Sequence, residues 1–339
     1  MITVTALTSG RDVPTRRFRV KQFVRPLRDL GIDVSEYCLF TNKYSLSSQP
    51  ALLRIWGATK LAGRLPGLLA SRFSQITWLE RELYPGRFTL ESMAGSKRLF
   101  DVDDAIWLEG QPHFSEQIAA RSFGVIAGNQ FIADHYRQYT EHVWLVPTSV
   151  DTNLWKPVER QTDPWTVGWI GSRSNLKFLH MIEEPLAAFL ADHSDARLLV
   201  VCDEKPEFKK IMAAQWRFAQ WSADREVELV QQMNVGLMPL PDTDWARGKC
   251  SFKMLLYMAV GLPVVVSPVG HNREVMHWDD VGFAATTATE WYEALSSIFK
   301  DSRLADRLGQ AGRTVVETHY SVAVNAQVLA TIFREVASD

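Results

Sequence analysis

Residues 245–275, WARGKCSFKMLLYMAVGLPVVVSPVGHNREV, restrict the possible folds more than any other part of the chain. The segment opens with a loop carrying Arg247 and Lys249, then runs into SFKMLLYMAV, which reads as a helix. Gly261 follows it and Pro263 comes two residues later, the usual order of a helix stop. Val264, Val265 and Val266 are a continuous β-branched run. A run that does not alternate predicts a strand buried on both faces, as parallel strands are. The turn at 267–272 then leads to a second helix start at Arg273 and Glu274. A basic loop beside a buried parallel strand is where an α/β sheet binds phosphate, since helix-start N–H groups and lysines both attract anions. An ordinary αβ unit with solvated lysines fits the same pattern.

The wording of this segment resembles the nucleotide-sugar core of GT-B-fold glycosyltransferases of family 4, the group 1 glycosyl transferases. Their pattern is (G)K-x-x-x-K-x-x-E-Y-M-A-x-G-x-P-V-V-x-S-x-x-G. Gly248, Lys249, Lys253, Tyr257, Met258, Ala259, Gly261, Pro263, Val264, Val265, Ser267 and Gly270 fall in register with it. Two positions depart: the family's pair of glutamates, seven residues between them, is replaced here by Gly248 and Leu256.

The chain has 339 residues, which suggests two domains. With 46% apolar and 22% charged residues it has material for two cores and the balance of a soluble protein. No apolar run reaches the length of a membrane span, and the N-terminus lacks a basic lead-in and cleavage site, so a cytoplasmic, unprocessed chain is expected. Cys38, Cys202 and Cys250 are odd in number and far apart, which predicts neither a disulfide framework nor a zinc site. Cys250 reads as a small buried thiol. Residues 1–157 hold 19 Lys+Arg against 15 Asp+Glu, whereas the remainder holds 18 against 24. The first half is therefore the side expected to meet an anionic acceptor or, peripherally, the inner membrane face. Nucleic acid is not expected, because basic and aromatic residues are not interleaved.

Residues 2–8 are rich in β-formers and lead into a turn-like stretch containing Gly10 and Pro14. A helix is expected from about Arg16 to Leu30, kinked or interrupted at Pro26. Gly10, Arg17 and Arg19 would stand at the carboxyl end of the first strand, the crevice of an open parallel sheet, where an anion can bind. Strands are expected over 33–40 and 75–79. Residues 50–69 read as a helix interrupted at Gly57 and Gly63, with Arg54, Lys60 and Arg64 toward a membrane. KRLFDVDDAIW, residues 97–107, is a strand running into Asp101, Asp103 and Asp104. Its D-V-D has the form of the metal-holding D-x-D of GT-A enzymes. Nothing else in the chain points that way, and no metal is expected. Two readings of Asp103 and Asp104 stay open: carboxylates in an interdomain cleft, or caps of the helix that follows. Asn129 is expected to cap the helix over 130–139.

VPTSVDTNLWKP resembles the joint between the two GT-B domains, and the linker is placed at 156–164. This divides the chain into an acceptor domain over 1–156, a nucleotide-sugar domain over 165–320 and a C-terminal helix over 321–339 returning to the first domain. The second domain opens with the strand TVGWIGS and a turn with Arg173 and Lys177. Lys177 falls on the diphosphate-binding lysine of the family, Ser172 replaces its arginine, and Arg173 stands one residue on. The absence of G-x-G-x-x-G argues against a nicotinamide or flavin site. Strands are expected at ARLLVVCD and VGLMPLPD, helices at FKKIMAAQ and EVELVQQM, and a core-facing set at Trp291, Leu295, Leu304 and Leu308.

The resemblance implies an α/β protein of GT-B architecture, two Rossmann-like parallel-sheet domains facing across a cleft. It implies a retaining, metal-independent, hexosyltransferase-type enzyme with no cofactor beyond the nucleotide-diphosphate sugar, and a glycan, lipid-linked or small-molecule acceptor. Asp103, Asp104 and Lys253 are the expected catalytic residues. Gly10, Arg17, Gly171, Ser172, Arg173, Lys177, Lys249, Ser251, Phe252, Leu256, Gly270, Asn272 and Glu274 are the expected donor-binding set. The rival expectation is a catalytically silent GT-B subunit of a glycan assembly complex, because Leu256 cannot accept hydrogen bonds from ribose hydroxyls as a glutamate does.

Overall fold

The structure is a computed structural model that describes residues 1–10, 13–39, 49–159 and 163–339. Arg11 and Asp12 of the N-terminal turn, Phe40 at the end of the second expected strand, and 160–162 of the expected linker lie outside the described residues. The chain forms two compact units. The first comprises Met1–Ser149, Gly248–Cys250 and Val322–Asp339; the second comprises Val150–Arg247 and Ser251–Ser321.

In the first unit β1 (Ile2–Gly10), β2 (Ile32–Leu39), β3 (Ile76–Glu80), β4 (Arg98–Val102), β5 (Gly124–Ala127) and β6 (Val143–Leu145) form one sheet in the order β2-β1-β3-β4-β5-β6. Every pairing is parallel. Strand order reverses between β1 and β3, the point at which open α/β sheets bind ligands. The C-terminal helix Val322–Ser338 belongs to this unit. Its Ala326, Leu329, Ala330, Phe333 and Val336 recur at helical spacing and are buried with Val4, Ile76 and Trp78. Phe333 meets the Trp78 ring edge-on, with centroids 5.3 Å apart.

In the second unit β7 (Trp165–Ile170), β8 (Ala196–Cys202), β9 (Trp216–Gln220), β10 (Val235–Met238), β11 (Val264–Val266) and β12 (Gly282–Ala284) form another all-parallel sheet, ordered β12-β11-β10-β7-β8-β9. This is the dinucleotide-fold order, with its switch point between β7 and β10. All three valines of β11 are fully buried, as their unbroken apolar run requires. Tyr257 explains how the switch point is held. Its ring lies on β10 at Gly236, where a Cβ would stand 2.1 Å from the ring. Its hydroxyl accepts from Ile170 N (2.9 Å) and donates to Leu237 O (3.3 Å), joining the ends of β7 and β10. Two Rossmann-like units, with the last helix returned to the first, are the GT-B architecture expected from the sequence.

The helix over 16–30 is interrupted, one of the two outcomes expected of Pro26: Pro14–Arg19 and Val24–Asp29 are joined by the 3₁₀ turn Lys21–Phe23. The break falls ahead of Pro26, because proline lacks the N–H for Gln22 O and its ring crowds that carbonyl. Other local expectations need correction. The helix Pro50–Ser71 runs through Gly57 and Gly63 without interruption. Gly67 on the same helix sits so close to the sheet that a Cβ would stand 2.5 Å from Leu7 Cδ2. Lys60 and Arg64 are buried on this inner side, at 2% and 3% exposure, so they do not face a membrane. FKKIMAAQ forms only the 3₁₀ turn Ala213–Gln215, followed by the unforeseen edge strand β9. There Trp216 and Phe218 alternate onto the core, a period-two signal inside an ambiguous stretch.

Helix Ala288–Lys300 carries a capping box: Thr287 Oγ1 accepts from Glu290 N, and Glu290 Oε2 accepts from Thr286 Oγ1 (2.6 Å), Thr286 N (2.7 Å) and Thr287 N (2.9 Å). Hydrogen bonds from the Thr286 hydroxyl and from the backbone N–H groups hold the Glu290 carboxyl down at about 2, against an ordinary 4.5. A depressed carboxyl stabilises the fold above its unfolded value and loses that contribution as pH falls through the folded one. Glu290→Gln is therefore expected to melt lower than the parent at neutral pH, and the gap to close between about pH 4.5 and about 2. Thermal melts across that range check it.

Candidate functional site

The carboxyl end of β7 holds the most developed feature of the second unit. Trp169 is fully buried, and Lys253, second residue of the helix Phe252–Ala259, lays its ammonium 4.4 Å from the Trp169 ring centroid. Gly171 makes this possible. A Cβ there would stand 2.8 Å from Lys253 Nζ and 2.5 Å from Trp169 Cη2. The small residue thus lets an ammonium group cross the strand end at the switch point, supported by the face of an indole.

Ser172, Arg173 and Lys177 follow directly. Ser172 Oγ accepts from Asn175 Nδ2 at 2.8 Å and lies 2.9 Å from Ser174 Oγ. Arg173 donates its backbone N–H to Asp203 Oδ1 (2.6 Å), and its guanidinium rests 3.4 Å from Glu204 Oε2. Both side chains of that ion pair are mostly exposed, so it is worth ~0–1 kcal/mol and competes weakly with a phosphate. Lys177 Nζ sits 5.2 Å from the Phe178 centroid. The helices behind the two glycine turns are short: the 3₁₀ turn Arg173–Asn175 with Leu176–His180, and His271–Met276. Their dipoles are correspondingly small, so any anion here depends mainly on side-chain cations.

Ser251, Gly270 and Asn272 form a second, interlocked group. Ser251 has φ +52° and donates to Asn272 Oδ1 at 2.7 Å; Asn272 Nδ2 donates to Ser267 O at 3.0 Å. Ser267 Oγ in turn accepts from Leu240 N at 3.0 Å. Ser251 and Asn272 are buried, and these bonds point inward, holding the turn after β11 in shape. Gly270 (φ +52°) is required by close approach, since a Cβ would meet Arg247 Cα at 2.7 Å. Phe252 is half-buried at the helix start, and Glu274 lies 3.9 Å from the buried His271 Nε2. Leu256 is 2% exposed, so a glutamate there would be a buried carboxylate.

The remaining candidates lie in the first unit. Arg19 does not await an anion. Its guanidinium is 2% exposed, with Nε bonded to Asp101 Oδ1 at 2.8 Å and Nη1 to Val146 O at 2.7 Å. Trp78 Nε1 donates to the other Asp101 oxygen at 2.9 Å. Burial pushes the Asp101 carboxyl up while Arg19 pulls it down; Arg19 itself, though desolvation opposes its charge, is held above its ordinary value by that carboxylate. Gly10 ends β1, and Arg17 lies with its guanidinium carbon 5.0 Å from the Phe18 centroid. Asp103 and Asp104 follow β4. The 3₁₀ turn after them, Ile106–Leu108, has no side-chain cap, so the capping reading fails.

Instead both carboxylates face Arg81, a residue the sequence reading passed over. Arg81 adopts φ +59° directly after β3, which brings Nη1 to 3.4 Å from Asp104 Oδ2 and 3.9 Å from Asp103 Oδ1. Its position one residue beyond a buried strand was the available signal. Lys249 joins this group, with Nζ 3.7 Å from Asp104 Oδ1. Asn129 caps its helix through Ile132 N (2.9 Å), as expected, and also donates Nδ2 to Lys249 O at 3.1 Å. Cys250 is buried, its thiol pKa pushed well up by desolvation, and it donates to Asp103 O at 3.2 Å. The structure therefore assembles Gly171 with Lys253 in one unit, and Asp103, Asp104 and Lys249 in the other. Among the described residues, no group of three or more His, Cys, Asp or Glu is placed to hold a metal ion.

Gly248 explains one departure from the family pattern. A Cβ at 248 would stand 2.4 Å from Ala105 Cβ and 2.8 Å from Ala105 N, so a glutamate has no room. Gly248→Ala is expected to cost ~1–3 kcal/mol by overpacking, read from the shift in urea midpoint.

Residues 164–301 match the family model described as "Glycosyl transferases group 1". No curated protein sequence matches the chain. Among solved structures of the same fold, sucrose-phosphate synthase from Thermosynechococcus elongatus superposes with a TM-score of 0.73 at 14% identity, covering 100% of both chains. A glycosyltransferase from Rickettsia africae gives 0.70 at 13% identity, covering 99% of this chain and 98% of the other. Anabaena HepE, solved in complex with UDP-glucose, gives 0.69 at 15% identity, covering 99% and 100%.

Proposed function

We propose that the protein is a glycosyltransferase that moves a sugar from a nucleotide-diphosphate donor to a glycan, lipid-linked or small-molecule acceptor. The observation that carries this reading is Lys253 laid over Trp169 beside Gly171, at the switch point of a sheet inside the segment matching the group 1 model. As the glycosidic bond breaks, negative charge collects on the β-phosphate. An ammonium already in position stabilises that charge without reorganising. Lys177 and Arg173 on the same strand end are the supporting cations. Asp103, Asp104 and Lys249 take the acceptor side in this proposal. The similarity to HepE, solved with UDP-glucose, supports a sugar nucleotide as donor. Hexosyl transfer, retention at the anomeric carbon and independence from metal belong to the proposal through the family resemblance. So does a cytoplasmic location, which the free thiols of Cys38, Cys202 and Cys250 suit.

Leu256 favours a second reading, a silent sugar-nucleotide-binding subunit. A buried leucine accepts no hydrogen bond from a ribose hydroxyl, and losing one such contact costs ~1–3 kcal/mol of affinity. A thermal-shift screen of UDP, GDP, ADP and CMP sugars, followed by assay of hydrolysis and transfer, separates the readings. Stabilisation with turnover supports the transferase, and stabilisation without turnover selects the silent subunit. No stabilisation at millimolar ligand rejects donor binding at this site.

A further inference from the structure

Helix Pro50–Ser71 is inverted relative to an ordinary surface helix. Its inner side carries Gly57, Lys60, Arg64, Gly67 and Leu68 at intervals of three and four, all buried. Arg64 spends its charge on the sheet, donating Nη1 to Thr8 O at 2.6 Å and Nε to Leu83 O at 3.3 Å. Desolvation lowers its pKa to about 10, a mark of how far the cation is taken from water. Lys60 Nζ lies 4.9 Å from the Trp56 ring centroid. The outer side carries large apolar residues instead: Leu52 is 46% exposed, Ile55 61%, Leu65 50%, Leu69 63% and, just past the helix, Phe73 84%. These too recur at helical spacing, so they form one stripe along a helix of 22 residues, roughly 33 Å long. Exposed Arg54 and Arg72 are the cations of the same segment that remain in water. The sequence from 37 to 79 contains no Asp or Glu.

An apolar stripe, with small residues between Ile55 and Leu65, flanked by cations and no carboxylates of its own segment, is complementary to acyl chains beneath anionic headgroups. We infer that the outer face of helix Pro50–Ser71, with Phe73, lies in the interface of an anionic lipid bilayer. The helix does not cross it: among the described residues, no helix is long and apolar enough to span a membrane. This inference stands on the first unit alone and does not depend on the donor reading. An acceptor borne on a lipid would then be presented at the surface where the protein rests.

The test is co-sedimentation of the full chain with phosphatidylcholine vesicles with and without about a third phosphatidylglycerol, at low and high salt. Binding is expected to the anionic vesicles and to weaken as salt rises. The double variant Leu69→Asp/Phe73→Asp, changed only at exposed positions, should bind at least roughly tenfold more weakly with an unchanged melting temperature. Arg54→Glu should weaken binding several-fold. Equal binding to neutral vesicles, or a double variant that binds like the parent, overturns the inference. So does failure of the parent to bind, and concentration-dependent self-association abolished by the double variant would then assign the stripe to a second copy of the chain. If the double variant melts lower, Leu65→Gln and Ile55→Gln replace it, each expected to weaken binding severalfold.

Discussion

Lys253→Ala is expected to lower the rate of sugar transfer by well over roughly tenfold while the fold stays intact. The ammonium sits over Trp169 at 4.4 Å, and the Gly171 backbone leaves it only the space a missing Cβ provides. In the proposed reaction, removing it deletes charge where the leaving diphosphate would develop charge, so the loss should fall on kcat more than on KM. Stability should change little, because a cation–π contact of this kind contributes only ~0.5–2 kcal/mol. Lys253→Arg is not expected to rescue: a planar guanidinium needs more room than Gly171 and the indole leave. Kinetics beside a melting curve for each variant checks the point, and transfer at the parental rate would remove Lys253 from the chemistry.

Arg19→Met is expected to have the largest effect on stability, ~3–5 kcal/mol. It leaves the Asp101 carboxylate, 1% exposed, with Trp78 Nε1 as its remaining side-chain partner in place of a guanidinium. The sign of the pH dependence follows. Without Arg19 the folded-state pKa of Asp101 rises further above its unfolded value, so the folded state binds more protons. The deficit should therefore shrink as pH falls toward the ordinary carboxylate range. A second change, Asp101→Asn, removes the stranded charge and should recover part of the loss. Urea titrations of the single and double variants measure it, and a single-variant loss under about 1 kcal/mol would mean that the pair contributes little.

These two residues also separate what was legible in the sequence from what was not. The helix that carries Lys253 was visible because its neighbours follow a local grammar: Gly261 and Pro263 stop the helix, and the valines of β11 declare a strand buried on both faces. Local periodicity reports burial, and burial orders the sheet. Arg19 was misread for the converse reason. It looked like a crevice cation because it follows the first strand, but its partner stands 82 residues away on β4. Lys60 and Arg64 failed the same way: a basic residue on a helix defaults to solvent unless the fold supplies a partner, here Thr8 O for Arg64 and the Trp56 ring beside Lys60. Gly248 and Leu256 were seen as departures, yet only the packing of Ala105 shows why the first has no side chain.

By itself, the sequence of this protein determined the alternation of strands and helices, the two-unit division in outline, and the helix–strand–helix order of residues 252–276. All of these follow from short-range periodicity and turn chemistry. The tertiary structure decided which charges are spent and which are available. It buried Arg19, Lys60 and Arg64, turned Arg81 onto Asp103 and Asp104, grouped Lys249 with the first unit, and left Leu52, Ile55, Leu65, Leu69 and Phe73 exposed. An ionic or apolar contact is settled by what the folded chain brings within a few ångströms, and no local pattern encodes that partner.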